Sequence, residues 1–154
     1  VLAPTRNEDG IPPNQIEYKT RRLVNDYLQP PKVTAKMRLA QDRFAEVRDD
    51  LKDMVVTNSH ELLRALEAQS ILDCADMAAS ASLYRTESRW GLYHHRADYP
   101  EKDDENWFCH TVLYKDDSGA MCNAKKDVEP YIVDIDEDEM GAYDRQRVQM
   151  QPAE

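Results

Sequence analysis

Residues 86–100, TESRWGLYHHRADYP, hold the densest side-chain chemistry of the sequence. Glu87, Arg89, Arg96 and Asp98 set acids and arginines close together. A guanidinium is a planar fork that grips a carboxylate through two parallel hydrogen bonds. The spacing therefore suits internal pairing: a clamp that fixes a non-helical loop against the helices. A docking surface is the secondary reading, with Trp90, Tyr93 and Tyr99 as aromatic anchors. His94 and His95 are adjacent, without the i, i+4 partner or nearby cysteine of a zinc site, so hydrogen-bonded packing is their expected role.

Other groups that could do chemistry fail on geometry. Cys109 and His110 could be nucleophile and base, but adjacent residues of a strand point to opposite faces. Residues 134–139, DIDEDE, suggest calcium. A calcium loop beginning at Asp134 needs Gly at its sixth position and Glu at its twelfth, where this sequence has Glu139 and Arg145. A solvated acidic run is the expectation. Gly10, Gly91, Gly119 and Gly141 stand far apart, so neither a dinucleotide fingerprint nor a phosphate loop can form. No catalytic, cofactor-binding or metal residue is expected. The candidate site is a structural clamp or docking set: Glu87, Arg89, Trp90, His94, Arg96, Asp98, Tyr99, Trp107 and His110.

Helices must position this stretch. Residues 1–13 carry three prolines and read as an extended arm or linker. Asn14, with Glu17 three positions on, is the expected cap of a first helix over 14–28, and Gln29-Pro30-Pro31 ends it. Met37, Ala40, Phe44, Val47, Leu51 and Met54 recur at alternating steps of three and four, behind Thr34 as N-cap. Asn58 or Ser59 caps a third helix over 59–86, apolar on more than one side and so expected between neighbours. Residues 107–114 mix aromatic and β-branched types as strands do. DDSGA is a turn, and residues 121–128 return as the second strand of a hairpin. Residues 131–135, YIVDI, read as one more strand, with a helical turn at 139–148.

The fold expected is mainly α: an antiparallel three-helix bundle followed by a loop and a small β-hairpin extension. The divisions are 1–13 arm, 14–86 bundle, 87–140 loop and hairpin, and 141–154 polar tail.

The composition narrows the function classes. The chain has 154 residues and a net charge of -10. Such a field repels phosphate backbones, so nucleic-acid binding is disfavoured and electropositive proteins are the natural partners. No apolar run approaches the ~20 residues that span a bilayer. Cys74, Cys109 and Cys122 lack metal or disulfide spacing, which suits reduced thiols in a cytoplasmic setting. The sequence opens on Val1, and a piece of a longer polypeptide is the expectation.

The stretch from Glu87 to Thr111 also resembles a known family. Glu87-Ser88-Arg89, Asp98-Tyr99-Pro100, Asp103-Asp104, Trp107 and His110-Thr111 are similar to the C-terminal region of succinate dehydrogenase and fumarate reductase flavoprotein subunits. The family's glycine after the arginine is replaced by Trp90, with Gly91 behind it, and its histidine is displaced to 94 or 95. The Ser-Arg-Trp variant resembles the adenylylsulfate reductase alpha-subunit branch. The resemblance spans residues 34–134 and is specific over 86–114. It implies a helical domain that packs on the flavin-binding domain of a parent chain and supports an iron–sulfur electron-transfer partner. It implies FAD in the parent and none bound by this chain, whose own residues would catalyse nothing. Membrane association would come only through partner subunits. A free-standing helical interaction module stays open as the alternative, as does, more weakly, a small hydrolase built on Cys109 and His110.

Overall fold

The computed structural model describes residues 3–128. Three long helices, α1 (Pro13–Tyr27), α2 (Thr34–Asp50) and α3 (Ser59–Tyr84), pack on one another. A single-turn helix, α4 (Asp104–Trp107), precedes an antiparallel hairpin of β1 (Cys109–Lys115) and β2 (Met121–Asp127). This is the expected class, a three-helix bundle with a loop and a small sheet. The strand expected at 131–135, the acidic run and the polar tail lie outside the described residues.

The periodicity of α2 is realised in the core. Met37, Ala40, Phe44 and Val47 are fully buried, and Met54 joins them after the helix has tightened into a 3-10 turn at Leu51–Asp53. Burying the Met, Phe and Val side chains contributes about 1.5–3 kcal/mol each. On α3 the buried stripe is Ala65, Ala68, Leu72, Ala75 and Ala79. Its small residues let the other two helices approach closely. Leu63, Leu66 and Met77 remain exposed, so the expectation that α3 is enclosed on several sides holds only for one stripe and for the flank under the hairpin. Exposed ion pairs cross between the helices. Lys19 in the middle of α1 meets Asp50 at the end of α2 at 2.5 Å, and Arg48 meets Asp73 of α3 at 2.6 Å.

Several boundaries differ from the sequence reading. Pro13, not Asn14, opens α1, because proline suits the first helical position, where no N–H is needed. Asn14 then sits inside the first turn and cannot cap it. Thr34 is the first residue of α2 rather than its cap. Asn58 caps α3 as expected, accepting the Glu61 N–H at 3.0 Å. That helix stops at Tyr84, where Arg85 turns extended. Trp107 and Phe108 precede the strand, because Asp103 accepts the Asn106 N–H and winds one helical turn first.

The amino-terminal segment is docked on the bundle. Asn7 donates to the Met54 carbonyl at 2.6 Å, and Ile11 exchanges backbone bonds with Asp53 and Val55 at 2.9 and 3.0 Å. Gly10 is required there: its φ is +157°, and a Cβ would collide with the Asp53 carbonyl oxygen. At the hairpin tip, Asp116 accepts from the backbone N–H groups of Ser118 and Ala120, both at 2.9 Å, which closes the turn. Asn123 of β2 donates to Ser80 of α3 at 2.8 Å and seats the hairpin on the bundle.

Candidate functional site

Residues 85–104 run from the end of α3 to the start of α4 and carry two adjoining charge networks. They are also laced to the α1–α2 connection: Lys32 donates its N–H to the His95 carbonyl at 2.8 Å and accepts that of Ala97 at 2.9 Å.

Arg96 is the largest fully buried side chain described, at 0% exposure. Its guanidinium grips both Asp98 oxygens at 2.8 Å, the Ser82 and Arg85 carbonyls at 2.7 and 3.0 Å, and the Thr34 hydroxyl at 2.8 Å. One side chain thus ties the loop to the end of α3 and the start of α2. Asp98 in turn accepts the Thr34 backbone N–H at 2.9 Å, and the Thr34 hydroxyl too. A carboxylate from a distant part of the chain therefore caps α2, where the helix dipole favours negative charge. The Arg96 bonds, helped by those from Thr34, hold the Asp98 carboxyl well below its ordinary range.

A second network centres on Glu87, which is completely buried. Arg89 donates to its two oxygens at 2.6 and 2.9 Å, the Asp103 N–H at 2.9 Å, and Arg85 joins from the other side. Burial alone would raise the Glu87 carboxyl, but the bonds from Arg89, Asp103 and Arg85 outweigh it and hold the group below its usual value. Arg89 reaches on to Asp104 at 2.6 Å, and its bond to Glu87 raises its own pKa. Arg85 also donates to the Trp107 and Cys109 carbonyls at 2.9 and 2.5 Å, so it joins α3 to the hairpin. Its guanidinium lies between the rings of Trp90 and Trp107, at 5.8 and 5.4 Å.

The structure brings Glu87, Arg89, Trp90, Trp107 and Asp104 around one centre and Arg96, Asp98 and Tyr99 around the other. The Tyr99 ring lies 4.9 Å from the Arg96 guanidinium. Arg85 escaped the sequence reading because it falls inside the helix expected over 59–86, whereas α3 ends at Tyr84. The signal was available: Arg85 and Arg89 flank Glu87 symmetrically. Thr34 and Ser82 were invisible as partners, since they are distant in sequence. His110 is exposed on β1 beside half-buried Cys109, and although the Cys109 carbonyl accepts from Arg85, the side chains of the two residues join neither network.

Of the two adjacent histidines, His94 is the buried one, facing Lys32, Arg85 and Arg96. Burial first, then the Lys32 charge, lowers its pKa to about 4. Its Nε2 has no hydrogen-bond partner among the described residues. It lines an open groove of about 570 Å³ between the end of α3, residues 89–94 and the start of β1. Trp90, at the mouth of this groove, sits in the left-handed region at φ 59°, which costs a non-glycine residue roughly 1–2 kcal/mol. Glycine would hold that conformation without strain.

The chain matches known proteins over most of its length. The family model described as "Fumarate reductase flavoprotein C-term" covers residues 18–150. A fumarate reductase flavoprotein subunit of Mycobacterium tuberculosis is 34% identical over 90 residues, 58% of this chain and 15% of that protein. A succinate dehydrogenase flavoprotein subunit of Rickettsia conorii is 32% identical over 83 residues, 51% of this chain and 14% of its own length. Among solved structures, adenylylsulfate reductase from Archaeoglobus fulgidus superposes with a TM-score of 0.76 at 26% identity, over 82% of this chain and 21% of that one. The chain thus spans about 15% of the length of the curated relatives it matches.

Proposed function

Since the chain belongs to the fumarate reductase flavoprotein C-terminal family, we propose that it is the accessory domain of a flavin-dependent oxidoreductase of the succinate dehydrogenase and fumarate reductase type. In this reading it packs on the flavin-binding domain of the same polypeptide and supports contact with an iron–sulfur electron-transfer subunit. The observation that carries it is the family match over residues 18–150, continuous through the charge network. The network serves as a clamp: it holds residues 85–104 in one conformation without a regular helix or strand to do so.

The reaction itself is assigned upstream. Glu87, Arg89, Arg96 and Asp98 direct their hydrogen-bonding groups to one another and to backbone atoms, so they are poor candidates for acid–base work. FAD does not fit the residues present. A pyrophosphate is held by clustered backbone N–H groups at a glycine-rich turn opening a helix. Here the groove meets the end of α3, and its arginines already serve Glu87, Asp104 and carbonyl groups. No described helix is long and apolar enough to cross a membrane, and membrane association would come through partner subunits.

The purified chain should carry no flavin, and the gene should encode an in-frame glycine-rich nucleotide-binding segment upstream. Stoichiometric yellow absorbance on the chain alone would overturn the assignment of the cofactor. A start codon directly before Val1 would favour the free-standing interaction module.

A further inference from the structure

We propose that the groove between the end of α3, residues 89–94 and the start of β1 seats the upstream portion of the flavoprotein polypeptide, which packs an apolar side chain between Trp90 and Phe108 and donates a hydrogen bond to His94 Nε2. The inference rests on the reading that this chain is one part of a longer flavoprotein, and it names the face that joins the parts.

His94 is 7% exposed, and its Nε2 is unpaired among the described residues. Buried polar atoms are almost always bonded, and each unpaired one opposes folding. A neutral imidazole offers one donor and one acceptor. The Arg85 backbone engages the ring, which leaves Nε2 as an acceptor waiting for an N–H or O–H. Thr111 Oγ1, on the same groove, is also buried and has no partner among the described residues.

Its rim is aromatic. Trp90 is 68% exposed and Phe108 63%. Trp90 is held against Arg85 in a left-handed backbone conformation, so its position is set before any partner arrives. Exposed aromatics beside a concave, partly apolar surface are the usual centre of an interface. The lining charges are already answered: Arg85 by Glu87, Arg89 by Glu87 and Asp104. The groove therefore suits an uncharged protein segment rather than a phosphate or carboxylate ligand.

The length of the relatives selects the occupant. The matched family model is a C-terminal one, and this chain covers only 15% of a relative such as the Mycobacterium tuberculosis subunit. Most of such a polypeptide therefore precedes the matched part, which makes it the nearest candidate to cover the groove.

Hydroxyl-radical footprinting tests this on the full-length flavoprotein, purified without partner subunits, and on the 154-residue chain. Labelling of Trp90 and Phe108 should fall several-fold in the full-length protein, while Tyr18 on α1 is unchanged. In the full-length protein His94→Phe, which removes the acceptor, should restore Trp90 labelling by about 2- to 10-fold, the range expected for one net hydrogen bond. His94→Gln, which keeps an acceptor, should restore less. Trp90→Gly, which relieves the backbone, should raise labelling of Phe108 without unfolding the chain. Equal labelling of the groove in both proteins, with protection at another patch, would overturn the proposal and leave the family reading intact. Protection appearing only when a second subunit or a second copy is added would overturn the occupant. A gene with no upstream flavoprotein segment would defeat both readings together.

Discussion

Arg96 is the residue whose removal should matter most. Its guanidinium makes hydrogen bonds to Asp98, to the Ser82 and Arg85 carbonyls and to Thr34, all within 3.0 Å. In Arg96→Ala the two carbonyls lose their donor in a place water reaches poorly, and each such loss costs about 1–3 kcal/mol. Asp98 suffers less. Its side chain is 26% exposed and keeps the Thr34 N–H and hydroxyl. The sum is about 3–5 kcal/mol, the range for breaking one side of a buried ion pair. For a domain of this size that lowers the thermal midpoint by roughly 6–20 °C. Arg96→Lys is the sharper variant. It keeps the charge and loses the fork, so it should recover less than half of the loss. Circular dichroism melts and urea midpoints of the three proteins check both figures. Arg89→Ala provides the scale: Glu87 still keeps Arg85 and the Asp103 N–H, so about 1–3 kcal/mol is expected there. An Arg96→Ala loss below that of Arg89→Ala, or full recovery by lysine, would show that charge alone, and not the directed fork, fastens the loop.

Stability should also depend on pH through His94. Its folded pKa, about 4, lies below the ordinary 6.5, so the unfolded chain takes up the proton first. The contribution is complete above about pH 6.5, falls as the pH drops towards 4 and is flat below; it amounts to at most about 3 kcal/mol. Urea midpoints between pH 7 and 4 should show that slope, and His94→Phe should remove it. Glu87 and Asp98 act in the same direction at lower pH, once it falls below their ordinary values of 4.5 and 3.8. Gly10→Ala should destabilise by about 1–3 kcal/mol, because the new Cβ drives the amino-terminal segment off the Asp53 carbonyl. Hydrogen exchange at the Ile11 and Val55 amides should then quicken before that of the helices, and unchanged protection would count against the docked geometry.

The helices were legible because their signals are local. The apolar steps of α2, the cap at Asn58 and the prolines after Tyr27 act within a turn or two of the chain. The pairing partners Glu87–Arg89 and Arg96–Asp98 were legible for the same reason, since each pair lies two residues apart. Thr34 misled for the opposite reason. Residue type marked it as a cap, but its hydroxyl serves Asp98, which is 64 positions away. Arg85 and Ser82 likewise acquire their roles only when α3 ends beside the returning loop.

By itself, the sequence determined the bundle, the hairpin and the arginine–carboxylate chemistry of the loop, because periodicity, capping and short-range charge pairing are properties of neighbouring residues. Only the tertiary structure decided which of His94 and His95 is buried, which atom of it has no partner among the described residues, and that a single guanidinium joins two helix ends to a loop. Those outcomes depend on desolvation and on three-dimensional convergence, and residue order does not encode which distant groups will share a site shielded from water.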